Sequence, residues 1–139
     1  MSGEVLARKV AAIRARTARV RELLPPTVEQ FLAQRTEAEA LILNLYLALQ
    51  ECSDLAMHLV AEPGLGVPGE PRAAFEILSR NEVVPPSLAR TLSAAVGLRN
   101  RIAHEYGGLD LRKVYAAARD DLGDLDAYAD TLAKTRLES

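Results

Sequence analysis

The sequence predicts an all-α fold: residues 1–139 as one domain, an antiparallel bundle of four long helices plus one short helix. Three observations lead there. Ala and Leu, both strong helix formers, supply much of a 49% hydrophobic fraction that contains no Trp. Apolar residues recur at helical spacing along most of the chain, and no stretch alternates apolar and polar as a half-buried strand does. The Pro and Gly residues gather in a few places that cut the chain into helix-length pieces.

The elements follow in order. Val5, Ala12, Ile13, Val20 and Leu24, with Arg and Lys between them, predict an amphipathic helix from Glu4 to Leu24. Pro25-Pro26 ends it, and Thr27 is placed to cap the next helix. That second helix is expected from Val28 to Glu62, since no Gly or Pro interrupts it. Within it Leu41, Leu45, Ala48, Cys52, Leu55 and Leu59 form a seam for another helix. Leu43, Leu47 and Met57 add apolar surface on other sides, which suits a helix that is both central and part of an oligomer interface. Pro63 to Pro71 is a loop, and a short helix follows from Arg72 to Arg80. Val84-Pro85-Pro86-Ser87 breaks the chain again, with Pro86 or Ser87 starting the next helix. That helix runs to Glu105, where Gly107-Gly108 is expected to stop it by taking left-handed backbone angles. Asp110 is a good N-cap for a last helix from Leu111 to Arg136.

Composition excludes several classes of function. The net charge of −2 argues against bulk nonspecific binding of nucleic acid. Charge is unevenly spread, however. Residues 1–24 hold six basic and two acidic side chains, whereas residues 25–98 hold four and nine. The basic first helix is either a solvated face or a guide rail for a polyanion or an acidic partner. No secretory leader is evident, and the longest apolar stretch, Ala40 to Leu49, is far short of the roughly 20 residues that span a bilayer. Cys52 is alone, so no internal disulfide is possible. A cytoplasmic protein with no membrane association is expected.

The polar run Arg99-Asn100-Arg101-Ile102-Ala103-His104-Glu105-Tyr106, at the end of the fourth predicted helix, is the candidate site. Asn100 and His104 are four apart and share a helix face. Arg101 lies about 60° from His104 around the helix and Arg99 about 140°. His104 stands in the last turn, where the helix dipole favours a cation, and imidazole is the side chain that gives or takes a proton near neutral pH. Arg99 and Arg101 offer forked donors suited to phosphate oxygens. No carboxylate or Cys lies beside His104 at ligand spacing, so no metal and no cofactor are expected. The residues point to metal-free phosphate chemistry or anion binding. They also suit a His and Arg that do no more than satisfy the helix dipole.

Other residues have plainer readings. Glu105 is read as a surface residue, His58 as a core or interface His, and Cys52 as a small core residue. Asp54 and His58 are spaced to pair at i, i+4, without making a site. Tyr46, Tyr115 and Tyr128 are too scattered to stack bases and are read as packing.

The spacing of Arg99, His104 and Tyr106 matches the R-x4-H-x-Y pattern of HEPN-domain toxins of the HepT type, with Asn100 as the usual residue after the Arg. Asp110, Val114-Tyr115, the segment Leu49 to Glu62 and the Pro-rich approach to the fourth helix also resemble that family. The resemblance implies a HEPN-like bundle and a homodimer in which two helices bring two Arg99 and two His104 into one cleft. It implies a metal-independent endoribonuclease acting as a toxin on RNA, with Arg99 and His104 catalytic and Asn100 and Arg101 supporting. It further implies a minimal nucleotidyltransferase antitoxin that transfers AMP to Tyr106 (AMPylation), or that neutralises the toxin by complex formation. A non-catalytic helical module that binds nucleotide or docks a nucleotidyltransferase would use the same residues, and a purely structural dimerising bundle would leave them unexplained.

Overall fold

The computed structural model of the chain describes residues 3–138. Met1, Ser2 and Ser139, part of the predicted domain, lie outside the described residues. The fold is all-α: seven helices and one 3-10 turn, with no strand among the described residues.

Helix α1 (Gly3–Leu23) buries Val10, Ile13, Thr17 and Val20 at steps of three and four, the stripe that faces a core. It lies along α3 (Arg35–Ala61) and α7 (Leu122–Glu138). The link Leu24–Pro26 leads to Thr27, which caps α2 (Val28–Ala33) as expected. The Thr27 side chain accepts from Gln30 N at 3.2 Å, and the Gln30 side chain accepts from Thr27 N, a reciprocal capping box.

The expected second helix, Val28 to Glu62, is broken at Gln34 (φ −108°, ψ 78°) into α2 and α3 (Arg35–Ala61). No Gly or Pro causes the break. Phe31 is buried against Tyr115, ring centroids 5.5 Å apart, and α2 leaves the line of α3 to reach it. Tertiary packing overrides local helix propensity here. The expected last helix is likewise two, α6 (Leu111–Asp120) and α7 (Leu122–Glu138), joined at Asp121 (φ −108°, ψ −5°). The break lets Val114, Tyr115 and Ala118 on one piece and Leu122, Leu125, Tyr128 and Leu132 on the other all reach the core.

Helix α4 (Pro71–Arg80) and helix α5 (Pro86–His104) both begin with Pro in the first turn, where its missing N–H costs nothing. After α4 the backbone turns through Glu82 at φ 60°, and Val83 N bonds Leu78 O at 2.9 Å. A Glu there holds the left-handed conformation that Gly takes without strain. The exit from α5 differs from expectation. Neither Gly107 nor Gly108 has a positive φ. The helix ends at His104, Glu105 caps it at φ −131°, and Tyr106–Gly108 form a 3-10 turn. Asp110 then caps α6, accepting from Arg112 N and Lys113 N.

α3 is the central element, packed on α1, α2, α4, α5 and α7. Five of its six seam residues, Leu41, Leu45, Ala48, Cys52 and Leu55, are buried, and Leu59 is half-buried. Each fully buried Leu contributes about 1.5–3 kcal/mol. Two tyrosine hydroxyls tie the bundle across its layers: Tyr128 donates to Cys52 O at 3.2 Å and Tyr115 to Pro25 O at 2.8 Å. Those two tyrosines are packing residues, as expected. The core holds α5 beside α3 and α4 and leaves the last turns of α5 at the surface.

Candidate functional site

Arg99 is half-buried on the face of α5 that looks at α3. Its Nε donates to Gln50 Oε1 at 2.6 Å, its Nη1 to Asn100 Oδ1 at 3.1 Å and its Nη2 to Tyr46 Oη at 3.3 Å. The guanidinium carbon also lies 5.3 Å from the centre of the Tyr46 ring, a cation–π contact. Gln50 is itself fixed, because its Nε2 donates to Asp54 Oδ1 at 2.8 Å. A carboxylate only accepts, so it turns the amide nitrogen toward itself and the amide oxygen toward Arg99. Of the five N–H groups of the guanidinium, three are taken. One remains on each terminal nitrogen, a pair suited to two oxygens of one phosphate.

Of the other predicted site residues, only Asn100 touches this anchor. Asn100 is exposed and supports Arg99 directly through its Oδ1. His104 is the last residue of α5; it is exposed, and among the described residues it has no hydrogen-bond or ion-pair partner. Its imidazole is thus available to an incoming group. Tyr106 is 49% exposed at the start of the 3-10 turn, two residues beyond His104. Gly107 and Gly108 beside it face open space, which leaves the phenol accessible. Arg101 points differently from Arg99. It is exposed and lines a cavity of about 520 Å³ among α3, α5, α6 and α7, with Leu45, Leu98, Lys113 and Asp120. Glu105 is an exposed cap residue.

A second cavity, about 310 Å³, opens next to Arg99 and Asn100 and is walled by Gln50, Ser53, Glu70, Arg72 and Val96. Tyr46, Gln50 and Arg72 are the residues that sequence reasoning missed. Tyr46 is not simple packing: its hydroxyl and its ring both hold Arg99. The spacing of Tyr46, Gln50 and Asp54 along one face of α3 was the available signal, though nothing in the sequence tied it to Arg99, some fifty residues away. His58 is exposed rather than a core residue, and Asp54 bonds Gln50 in place of His58. Cys52 is a buried core residue; burial, reinforced by Glu51 and Asp126, pushes its thiol far above the ordinary range, so it stays protonated and inert.

The basic first helix spends much of its charge inside the molecule. Arg14 pairs with Asp130 at 2.9 Å, Arg21 with Asp126, and Arg19 with Glu22 at 2.9 Å, while Arg16 donates to the buried Asn44 at 3.1 Å. The Arg14 and Arg21 pairs join α1 to α7 and the Arg16 bond joins it to α3, while Arg19–Glu22 lies within α1. They favour a structural face over a guide rail. Among the described residues no three His, Cys, Asp or Glu side chains are grouped to hold a metal ion, and no helix is long and apolar enough to cross a membrane.

The sequence matches the family described as Ribonuclease HepT-like from residue 13 to residue 132, from within α1 to within α7, and so through the whole of Arg99–Tyr106. The chain belongs to the HepT-like ribonuclease family. Among curated relatives of HepT type, the mRNA nuclease HepT of Shewanella oneidensis is 29% identical over 129 residues, 93% of this chain and 96% of that protein. The tRNA nuclease HepT of Aphanizomenon flos-aquae is 32% identical over 73 residues, 52% of this chain and 50% of that protein. Among solved structures, a tri-AMPylated Shewanella oneidensis HEPN toxin in complex with an MNT antitoxin matches with a TM-score of 0.86 at 28% identity, covering 96% of this chain and 99% of that one. The HepT family read from the motif and the all-α HEPN-like bundle read from the helix order therefore both hold for this chain.

Proposed function

We propose that this chain is the toxin of a HEPN/minimal-nucleotidyltransferase pair, a metal-independent endoribonuclease whose site is completed when two copies meet. One observation carries the reading. Three partners hold Arg99 with one N–H left on each terminal nitrogen, while an unpartnered His104 stands on the same helix. Arg99 and His104 lie about 140° apart around α5, so a phosphate held at Arg99 would be served by the His104 of a second copy. The family match and the nuclease relatives support the same chemistry.

One His104 cannot easily serve as base and acid in one cleavage, and two can divide the work. The first imidazole takes the proton of a ribose 2′-hydroxyl. The 2′-oxygen attacks the adjacent phosphorus, and the 5′-oxygen leaves with a proton from the second, cationic imidazole. A 2′,3′-cyclic phosphate and a free 5′-hydroxyl result. Arg99 stabilises the charge that builds on the non-bridging oxygens. Asn100 supports Arg99. Leu43, 56% exposed, shares a face of α3 with Tyr46, Leu47 and Gln50. That apolar surface, continuous with the perch of Arg99, is where a second copy would pack.

Tyr106 suits the role of switch. Transfer of AMP from ATP to its oxygen, releasing pyrophosphate, would put a bulky anion beside His104 and the free donors of Arg99. The AMPylated toxin in complex with its antitoxin among the structural neighbours supports this reading. The test has two parts. Purified native dimer should cleave RNA, and His104→Ala and Arg99→Ala dimers should not; an undiminished rate in His104→Ala overturns the mechanism. Intact-mass spectrometry after co-expression with the cognate nucleotidyltransferase should show added AMP that disappears in Tyr106→Phe. An unchanged mass, or an addition that survives the substitution, overturns the switch.

A further inference from the structure

Gly in the interior of a helix weakens it, and Gly97 lies well inside α5. Its surroundings give a reason for it. A methyl group at position 97 would stand 3.1 Å from Arg72 Nη2 and 3.6 Å from Arg101 Nη1. Arg72, at the start of α4, thus crosses α5 through the gap that Gly97 leaves, and its Nε donates to Ser93 O at 3.2 Å one turn earlier. The two guanidinium nitrogens are no more than about 7 Å apart. Like charges that close repel, and an anion between them removes the repulsion.

Neither Arg forms an ion pair among the described residues, although Glu76 lines a cavity with Arg72 and Asp120, Asp121 and Asp124 line one with Arg101. Ion pairs among the described residues engage Arg14, Arg19, Arg21, Arg35 and Arg119. Glu70 borders the cavity beside Arg72 but forms no ion pair with it. That cavity is shared with Arg99 and Asn100. Ser93, Gly97, Arg101 and His104 succeed one another along one face of α5. The crossing of Arg72 lies about 10 Å along the helix axis from His104.

We propose that Arg72 and Arg101, meeting over Gly97, form a second phosphate subsite. It holds a phosphodiester of single-stranded RNA neighbouring the one cut at Arg99 and His104. Two forked guanidiniums without an ion-pair partner among the described residues suit a phosphate, and RNA presents phosphates at regular intervals. The subsite rests on the ribonuclease reading above and extends it from the reacting phosphate to the path of the strand.

The test is fluorescence anisotropy of a labelled 2′-O-methyl single-stranded oligonucleotide of mixed sequence. It lacks the 2′-hydroxyl nucleophile and so is bound without being cut. Binding is measured over a salt series with the full-length protein. Arg72→Ala should weaken binding about three- to tenfold at low salt and flatten the log–log salt slope by about 0.7, one phosphate contact on a single strand. Gly97→Ala keeps every charge and shifts the tip of Arg72 by a few tenths of an ångström, so it should weaken binding in the same direction but less than Arg72→Ala. Arg8→Ala, an exposed base on α1, should leave the slope unchanged. In cleavage assays the loss in Arg72→Ala should fall on KM rather than kcat. A native slope in Arg72→Ala, or an equal loss in Arg8→Ala, overturns the subsite. If the native chain cleaves RNA and binds the oligonucleotide while Arg72→Ala matches it, the subsite alone falls. If it neither cleaves nor binds, the ribonuclease reading falls and the subsite with it.

Discussion

Replacing Gln50 with Leu tests whether α3 aims Arg99. The substitution nearly preserves volume and removes both the acceptor for Arg99 Nε and the donor to Asp54. A hydrogen bond from a charged donor contributes about 1.5–3 kcal/mol. Tyr46 and Asn100 still hold the other two nitrogens, so the lower part of that range applies, about 1.5–2 kcal/mol of lost orientation. At 1.36 kcal/mol per decade this is a loss of about ten- to thirtyfold in kcat/KM for RNA cleavage. Steady-state cleavage by Gln50→Leu, Arg99→Ala and the double variant gives the coupling directly. If Gln50 acts through Arg99, its removal costs nothing further once Arg99 is gone. A full additional loss in the double variant, or native activity in Gln50→Leu with the fold intact by circular dichroism, refutes the reasoning.

Other consequences concern the scaffold. Thr27→Ala removes the capping box of α2 and should cost about 1 kcal/mol, lowering Tm by about 3–5 °C; an unchanged melt would show that α2 is held by Phe31 alone. Glu82→Gly relieves a left-handed backbone angle at φ 60° and should add about 0.5–1 kcal/mol, a rise of about 2–4 °C, against a fall if the Glu side chain stabilises the turn. Asp121 is raised above the usual carboxylate range by burial first, then by Asp124 and Asp120. A carboxyl whose folded value is raised opposes folding once ionised, so its stability contribution is present in acid and lost as pH rises through the folded value. Asp121→Asn should therefore raise Tm modestly at pH 7 and leave it unchanged near pH 3; a gain at both pH values would contradict the electrostatic origin.

The sequence shows some parts of this molecule directly and hides others for physical reasons. Pro25-Pro26, Thr27, Pro86 and Asp110 act within a few residues, so the ends of four helices could be placed from local chemistry. The break at Gln34 has no local signal, because it arises from where Phe31 finds its pocket in the assembled core; the break at Asp121 had a weak one, an Asp before α7 with Gly123 just inside it. Arg99 to Tyr106 are consecutive along one helix end, which made the candidate site visible as a motif. The side chains that set Arg99, Tyr46 and Gln50, come from another helix, and only folding brings them to it. Gly97 was visible as an oddity in a helix, but its reason, Arg72 crossing from α4, was not.

The central claim is that each chain carries half a site and that two His104 share one cleavage. A heterodimer of one native and one His104→Ala subunit, isolated through different affinity tags, tests it most directly by its rate of RNA cleavage. The shared cleft predicts a rate far below half that of the native dimer, near that of the doubly substituted one. A rate of half the native value would mean that each chain holds a complete and independent site.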